Sequence, residues 1–164
     1  MKNYDSIIQG FYAPLRDYLE HEVVPQNETA PRPGLPFCSY NILNPRLVQN
    51  GPESGHIVTV VEGEVTKERK VTDVEVVFSF NFYGKSDTEA MALAALGEEF
   101  FDFVGESELA ARNLVIVEVT NIQDRTLYLG DAYEHRVGFD VRFRMSEMKE
   151  RVITTIDTVE TEQI

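Results

Sequence analysis

Val137-Gly-Phe-Asp-Val-Arg-Phe-Arg-Met145 decides the fold. Val137, Phe139, Val141, Phe143 and Met145 alternate with Gly138, Asp140, Arg142 and Arg144. A period of two marks a strand with one dry face and one wet face. A second run repeats it. Val74, Val76, Phe78, Phe80 and Phe82 interleave with Glu75, Val77, Ser79, Asn81 and Tyr83. Two long amphipathic strands need a covering layer, and the chain between them supplies a helix.

That helix is the best marked element. Ser86-Asp-Thr-Glu89 fits a capping box, in which hydroxyl and carboxylate satisfy free amides of the first turn. Ala90, Leu93, Ala94, Gly97, Phe100, Phe101 and Val104 follow at helical spacing, and Gly105 stands where a left-handed C-terminal cap belongs. Ala94, Ala95 and Gly97 are small enough to let the helix approach a sheet closely.

Upstream, Ile57 to Val65 and Lys70 to Tyr83 read as a long hairpin with a charged tip near Thr66-Lys-Glu-Arg69. It spans about residues 57–83, exceeds the usual strand length, and is expected to project. Residues 4–22 form a helical stripe through Ile8, Phe11, Leu15 and Leu19, interrupted by Pro14. A kink is expected there, or a second helix with Pro14 in its first turn. Residues 23–36 hold four prolines and a glycine and predict an extended arm with no regular element. Phe37–Leu43 reads as a short strand, and Asn44–His56 as a loop with Asn-Pro, Asn-Gly-Pro and Ser-Gly turn signals. Leu114–Val119 reads as a central strand, residues 121–136 as a polar connection, and Arg151–Glu160 as a last strand. The whole of 1–164 is expected to be one domain, α+β, with a mostly antiparallel sheet and helices packed on one face.

Composition bounds the function. The chain has 28 acids against 15 bases, a formal net charge of −13. Such a chain does not hold nucleic acid non-specifically, because phosphate affinity comes from Lys and Arg displacing counterions. No window approaches the length of a membrane span, and Met1-Lys-Asn-Tyr-Asp is too polar for a signal peptide, so synthesis in a cytoplasm and no membrane are expected. The single Cys38 excludes an intramolecular disulfide and a Cys-rich zinc site, and reads as a small buried hydrophobe.

No catalytic, metal or cofactor motif stands out. His21, His56 and His135 share no metal spacing. Gly34, Gly51 and Gly55 lack the spacing and following helix of a phosphate loop. A small α+β enzyme using Asp140 and His135 would need both groups in one concave site. Arg142, Arg144 and Arg151 form a basic cluster in an acidic chain. Opposite a neighbour's acids they would set orientation in an assembly. Pairing within the sheet to Glu147, Glu150 or Asp157 is the alternative, and both stay open.

Four segments carry a resemblance: Ala30-Pro-Arg-Pro-Gly-Leu-Pro-Phe-Cys-Ser-Tyr-Asn-Ile-Leu43, Phe78-Ser-Phe-Asn-Phe-Tyr-Gly84, Asn121-Ile-Gln-Asp-Arg125 and Tyr133-Glu-His-Arg-Val-Gly-Phe-Asp-Val-Arg-Phe-Arg144. With the order of elements, they resemble the neck or tail terminator proteins of tailed bacteriophages and prophages, from about Tyr4 to Ile156. The resemblance implies a structural virion protein without catalytic residues or cofactors. It implies a homo-oligomeric ring, typically of six copies, that ends tail-tube growth and joins the tube to the head–tail connector. Its partners would be the tail tube protein and the connector, with duplex DNA passing through ungripped. A tail-completion or head-closure factor of the same fold class is the alternative. Glu62, Glu64 and Glu75 are the acids expected to line such a lumen, and charged edge protection is the ordinary reading of them.

Overall fold

The computed structural model describes residues 4–48 and 55–154. The Asn-Gly-Pro turn with Gly51, and the part of the last strand beyond Thr154 with Asp157, lie outside the described residues. The chain divides into two compact units: Met1–Leu47 with Glu75–Met145, and Val48–Val74 with Ser146–Ile164.

In the first unit the elements are α1 (Tyr4–Leu19), β1 (Val23–Pro25) and β2 (Phe37–Leu47), followed by most of the apolar half of β4. Then come α2 (Asp87–Glu99), a π-helical turn (Phe100–Val104), α3 (Glu106–Ala111), β5 (Val115–Val119), β6 (Gln123–Asp124), β7 (Leu127–Tyr128) and the first part of β8. β4 runs Val65–Gly84, after β3 (His56–Glu62), and β8 runs Tyr133–Ile153; both give residues to each unit. The strand order is β1-β2-β4-β8-β5. β2 is antiparallel to β4, β5 and β6 are antiparallel to β8, and β1 is parallel to β2. The class is therefore α+β with a largely antiparallel sheet, as the alternating runs indicate.

The dry faces meet as the sequence pattern requires. Phe11 of α1 packs edge-on against Tyr40, Phe78 and Phe80, with ring centroids 5.1–5.4 Å apart, and stacks on Phe143 at 6.0 Å. Phe101 touches Phe80, Phe139 and Phe143 from the π-helical turn. Gly97 lies over the Phe82 ring, where a Cβ would stand 2.3 Å from Cζ. Ala94 is buried on the same helix, while Ala95 faces outward. Helices thus cover one face of the sheet. Cys38 is buried, and burial pushes its thiol pKa well above the ordinary range.

The structure differs from the sequence reading in several places, each with a physical cause. α1 does not break at Pro14. The carbonyl of Gly10, which Pro14 cannot bond, accepts instead from Arg112 Nη1 at 3.4 Å. Val23–Pro25, expected to be irregular, forms the edge strand β1. Flanking its ladder, the Cys38 amide donates to Glu22 O and the Gln26 amide to Tyr40 O, both at 2.9 Å, and the Pro25 nitrogen is not called upon. β2 reaches Leu47 by register shifts around Asn44, which accommodate Pro45.

The hairpin turn is Gly63-Glu64, not the Thr66–Arg69 stretch, because Glu62 pairs with Val65. Gly63 has φ +64° and Glu64 does not share the positive φ, the pattern of a II′ turn. Gly105 is no left-handed cap: its φ is −91°, and its amide reaches Phe100 O at 2.7 Å, closing a π-type ring. The wider turn carries Val104 off the buried stripe, and it is 49 % exposed. Leu114–Val119 is not central. Its strand, β5, ends the sheet order, with Val115 and Val117 exposed, because nothing among the described residues covers its outward side chains. The supposed wet face of β4 is dry: Glu75, Ser79, Asn81 and Tyr83 are all buried.

Candidate assembly surfaces

The second face of β4 is covered by polar side chains from distant positions. Arg125, next to β6, donates Nη1 to Ser79 Oγ at 2.8 Å and to Asn81 Oδ1 at 3.0 Å, and pairs through Nη2 with Asp140 Oδ1 at 3.1 Å. Asn81 Nδ2 donates to Gln26 Oε1 at 2.9 Å. Further along, Arg32 pairs with Glu134 and lies 5.4 Å over the Tyr83 ring, which stacks on Phe37. The proline-rich segment is thereby tied to its own sheet at Gln26 and Arg32. This network satisfies buried polar atoms that would otherwise each cost about 1–3 kcal/mol. Sequence reasoning misses Arg125. The available signal is Ser79 and Asn81 within a phenylalanine strand, polar atoms that need a partner if buried.

Asp140 is therefore engaged by Arg125, and His135 Nδ1 lies 2.6 Å from Asp87 Oδ1. The two groups of the enzymatic reading have different partners. Among the described residues no group of three or more His, Cys, Asp or Glu is placed to hold a metal ion. Nor is any described helix long and apolar enough to cross a membrane.

The three arginines fall apart into two settings. In the first unit Arg142 reaches Glu118 at 3.3 Å and the buried Glu75 at 3.8 Å, across neighbouring strands. Arg144, two residues on, is exposed and has no ion-pair partner among the described residues. Arg151 belongs to the second unit, where its Nε donates to Glu68 Oε2 at 2.6 Å.

The second unit holds the β3–β4 hairpin and the end of β8. Ser146 with Asp73, Arg69 with Glu150 and Arg151 with Glu68 step in opposite directions along β4 and β8, which is antiparallel pairing. Glu62 accepts from Lys67 at 3.1 Å and lies 3.5 Å from Arg69; the Lys67 hydrogen bond and charge hold its pKa below the usual carboxylate range. Glu64 is exposed at the turn. Of the three acids named for a lumen, Glu62 and Glu64 are open to solvent, while Glu75 is 5 % exposed and set against Arg142.

These surfaces offer ion pairs, open strand edges and exposed apolar side chains, the materials of protein–protein contact. Comparison with known proteins agrees. A family model described as "Phage neck terminator protein" matches residues 5–164. No curated protein matches the chain. The chain belongs to the phage neck terminator protein family, a structural protein of the neck or tail whose role is interaction with other head and tail proteins.

Proposed function

We propose that copies of this chain form a closed ring, of six subunits, that ends growth of the tail tube and joins it to the head–tail connector. The ring is built in the bacterial cytoplasm and kept in the virion neck. The match to the neck terminator family over residues 5–164 carries this reading. The net charge of −13 supports it physically. A passage for duplex DNA must not grip its cargo, and carboxylates repel phosphates while releasing no counterions. Glu62 and Glu64, both exposed, are the acids assigned to that wall, and Arg142, Arg144 and Arg151 are assigned to contacts between subunits. The mechanism is geometric: one face caps a polymer and the other presents a different surface to the connector.

Two measurements test it together. Native mass spectrometry of the full chain, alone and on isolated tube ends, is expected to give a hexamer. Electron microscopy of particles assembled without the protein is expected to show tails of uncontrolled length. A chain that stays monomeric and ignores tube ends overturns the reading. Binding to the connector alone makes it a head-closure factor instead.

A further inference from the structure

We propose that neighbouring subunits lock together by seating Phe103 of one copy in a cationic cleft on the second unit of the next. This inference rests on the ring reading and names its contact.

Phe103 is 77 % exposed, the highest value among the large apolar side chains described. Its backbone is anchored: Phe100 and Phe101 at the start of the turn are buried, and the Gly105 amide bonds Phe100 O. An aromatic side chain on a fixed backbone loses little freedom when it is buried by a partner, which is how interface anchors behave. Its surroundings are acidic. Asp102 and Glu106 are exposed next to it, and no Lys or Arg occurs between Ser86 and Ala111.

The complement lies in the second unit. A cleft of about 290 Å³ is lined by Ile57, Glu68, Lys70, Lys149, Glu150 and Arg151. Both of its carboxylates are already engaged, Glu68 by Arg151 and Glu150 by Arg69. Lys149 has no ion-pair partner among the described residues. Among the described lining residues the cations Lys70, Lys149 and Arg151 outnumber the two carboxylates, on a strongly negative chain. Ile57, opposite Lys70 in the hairpin, gives it an apolar wall that is itself 54 % exposed. An apolar ring flanked by carboxylates matches an apolar wall rimmed by cations, and each chain carries one of each. Two different patches meeting head to tail generate a ring when the rotation closes.

Sedimentation velocity on the full chain separates the possibilities. Phe103→Asp removes the aromatic anchor, and Ile57→Asp with Lys149→Glu spoils the cleft. All three positions are solvent-facing. Each variant protein alone is expected to lose assembly affinity by roughly tenfold or more and to run as a monomer. An equimolar mixture is expected to give a dimer and nothing larger, because one intact anchor then meets one intact cleft. A variant that assembles like wild type, or a mixture without dimers, overturns the inference while a wild-type hexamer leaves the ring reading standing. A cleft variant that still forms hexamers but no longer binds tube ends also overturns it, and gives the cleft to the tube protein. Wild-type chains that remain monomeric even on tube ends remove both.

Discussion

Arg112 supplies the hydrogen bond that Pro14 denies to Gly10: its Nη1 lies 3.4 Å from the Gly10 carbonyl oxygen, one helical turn before the proline. Gly10 and Arg112 are 102 residues apart, so a local defect in α1 is repaired by a tertiary contact. Arg112→Met is expected to destabilise the fold by about 1 kcal/mol, the usual net worth of such a bond. In a Pro14→Ala background the same change is expected to cost less, since alanine at that position restores the missing amide. Urea denaturation of the four proteins reads this as a double-mutant cycle. Equal costs in both backgrounds would show that Arg112 acts through Glu108 alone.

Gly138 holds space for the Arg125 network. A Cβ there would stand 2.3 Å from Phe80 O, 2.7 Å from Asn81 Oδ1 and 2.9 Å from Arg125 Nη1. Backbone cannot yield that far, so Gly138→Ala is expected to cost about 1–3 kcal/mol or more. Arg125→Met, which leaves Asp140, Ser79 and Asn81 with fewer partners, is expected to cost about 1–3 kcal/mol. Both appear as a lower urea midpoint at an unchanged slope.

Phe11 is the ring on which the core converges, touching Tyr40, Phe78, Phe80 and Phe143. Phe11→Ala is expected to cost about 3–5 kcal/mol, and Phe11→Leu distinctly less. Thermal unfolding ranks the two. A similar small loss for both would mean that α1 is not fixed by this contact.

Asp124 accepts a hydrogen bond from the Thr126 amide at 3.0 Å, and the Thr126 hydroxyl and amide together hold its pKa below the ordinary carboxylate value. A carboxyl depressed on folding adds stability above its unfolded pKa, and that stability is lost as pH falls through the folded value. NMR titration is expected to place its midpoint below that of an unstructured aspartate. Thr126→Val removes the hydroxyl and is expected to move the midpoint upward. An unmoved midpoint would leave the amide as the sole cause.

How much of this is legible in the chain depends on the range of each interaction. The period of two in Val137–Met145 and Val74–Phe82 is local, and both runs are strands with buried apolar residues. The Ser86 cap is equally local: its hydroxyl accepts the Glu89 amide at 3.3 Å, and Glu89 reaches back to the Lys85 amide. The second face of β4 is not legible, because what dries it arrives from Arg125 and Arg32, far along the chain. Gly63-Glu64 competes with a more charged stretch for the hairpin tip, and a glycine able to take positive φ is the stronger turn signal. The π-helical turn has no residue code of its own, since Phe-Phe-Asp-Phe-Val suits a regular helix equally well. For the candidate surfaces, Arg151 and Arg142 are visible as charges, but their partners Glu68 and Glu118 follow only from strand register.

The widened turn at Phe100–Val104 sets a phase. A regular helix advances about 100° per residue, and a turn closed over one more residue advances less, so everything after Phe100 lags on the helical wheel. That lag swings Val104 toward the rim, while Phe103 lies off the buried stripe at regular helical spacing as well. Whether Val104 is hidden or displayed is therefore settled by counting peptide units, not by polarity.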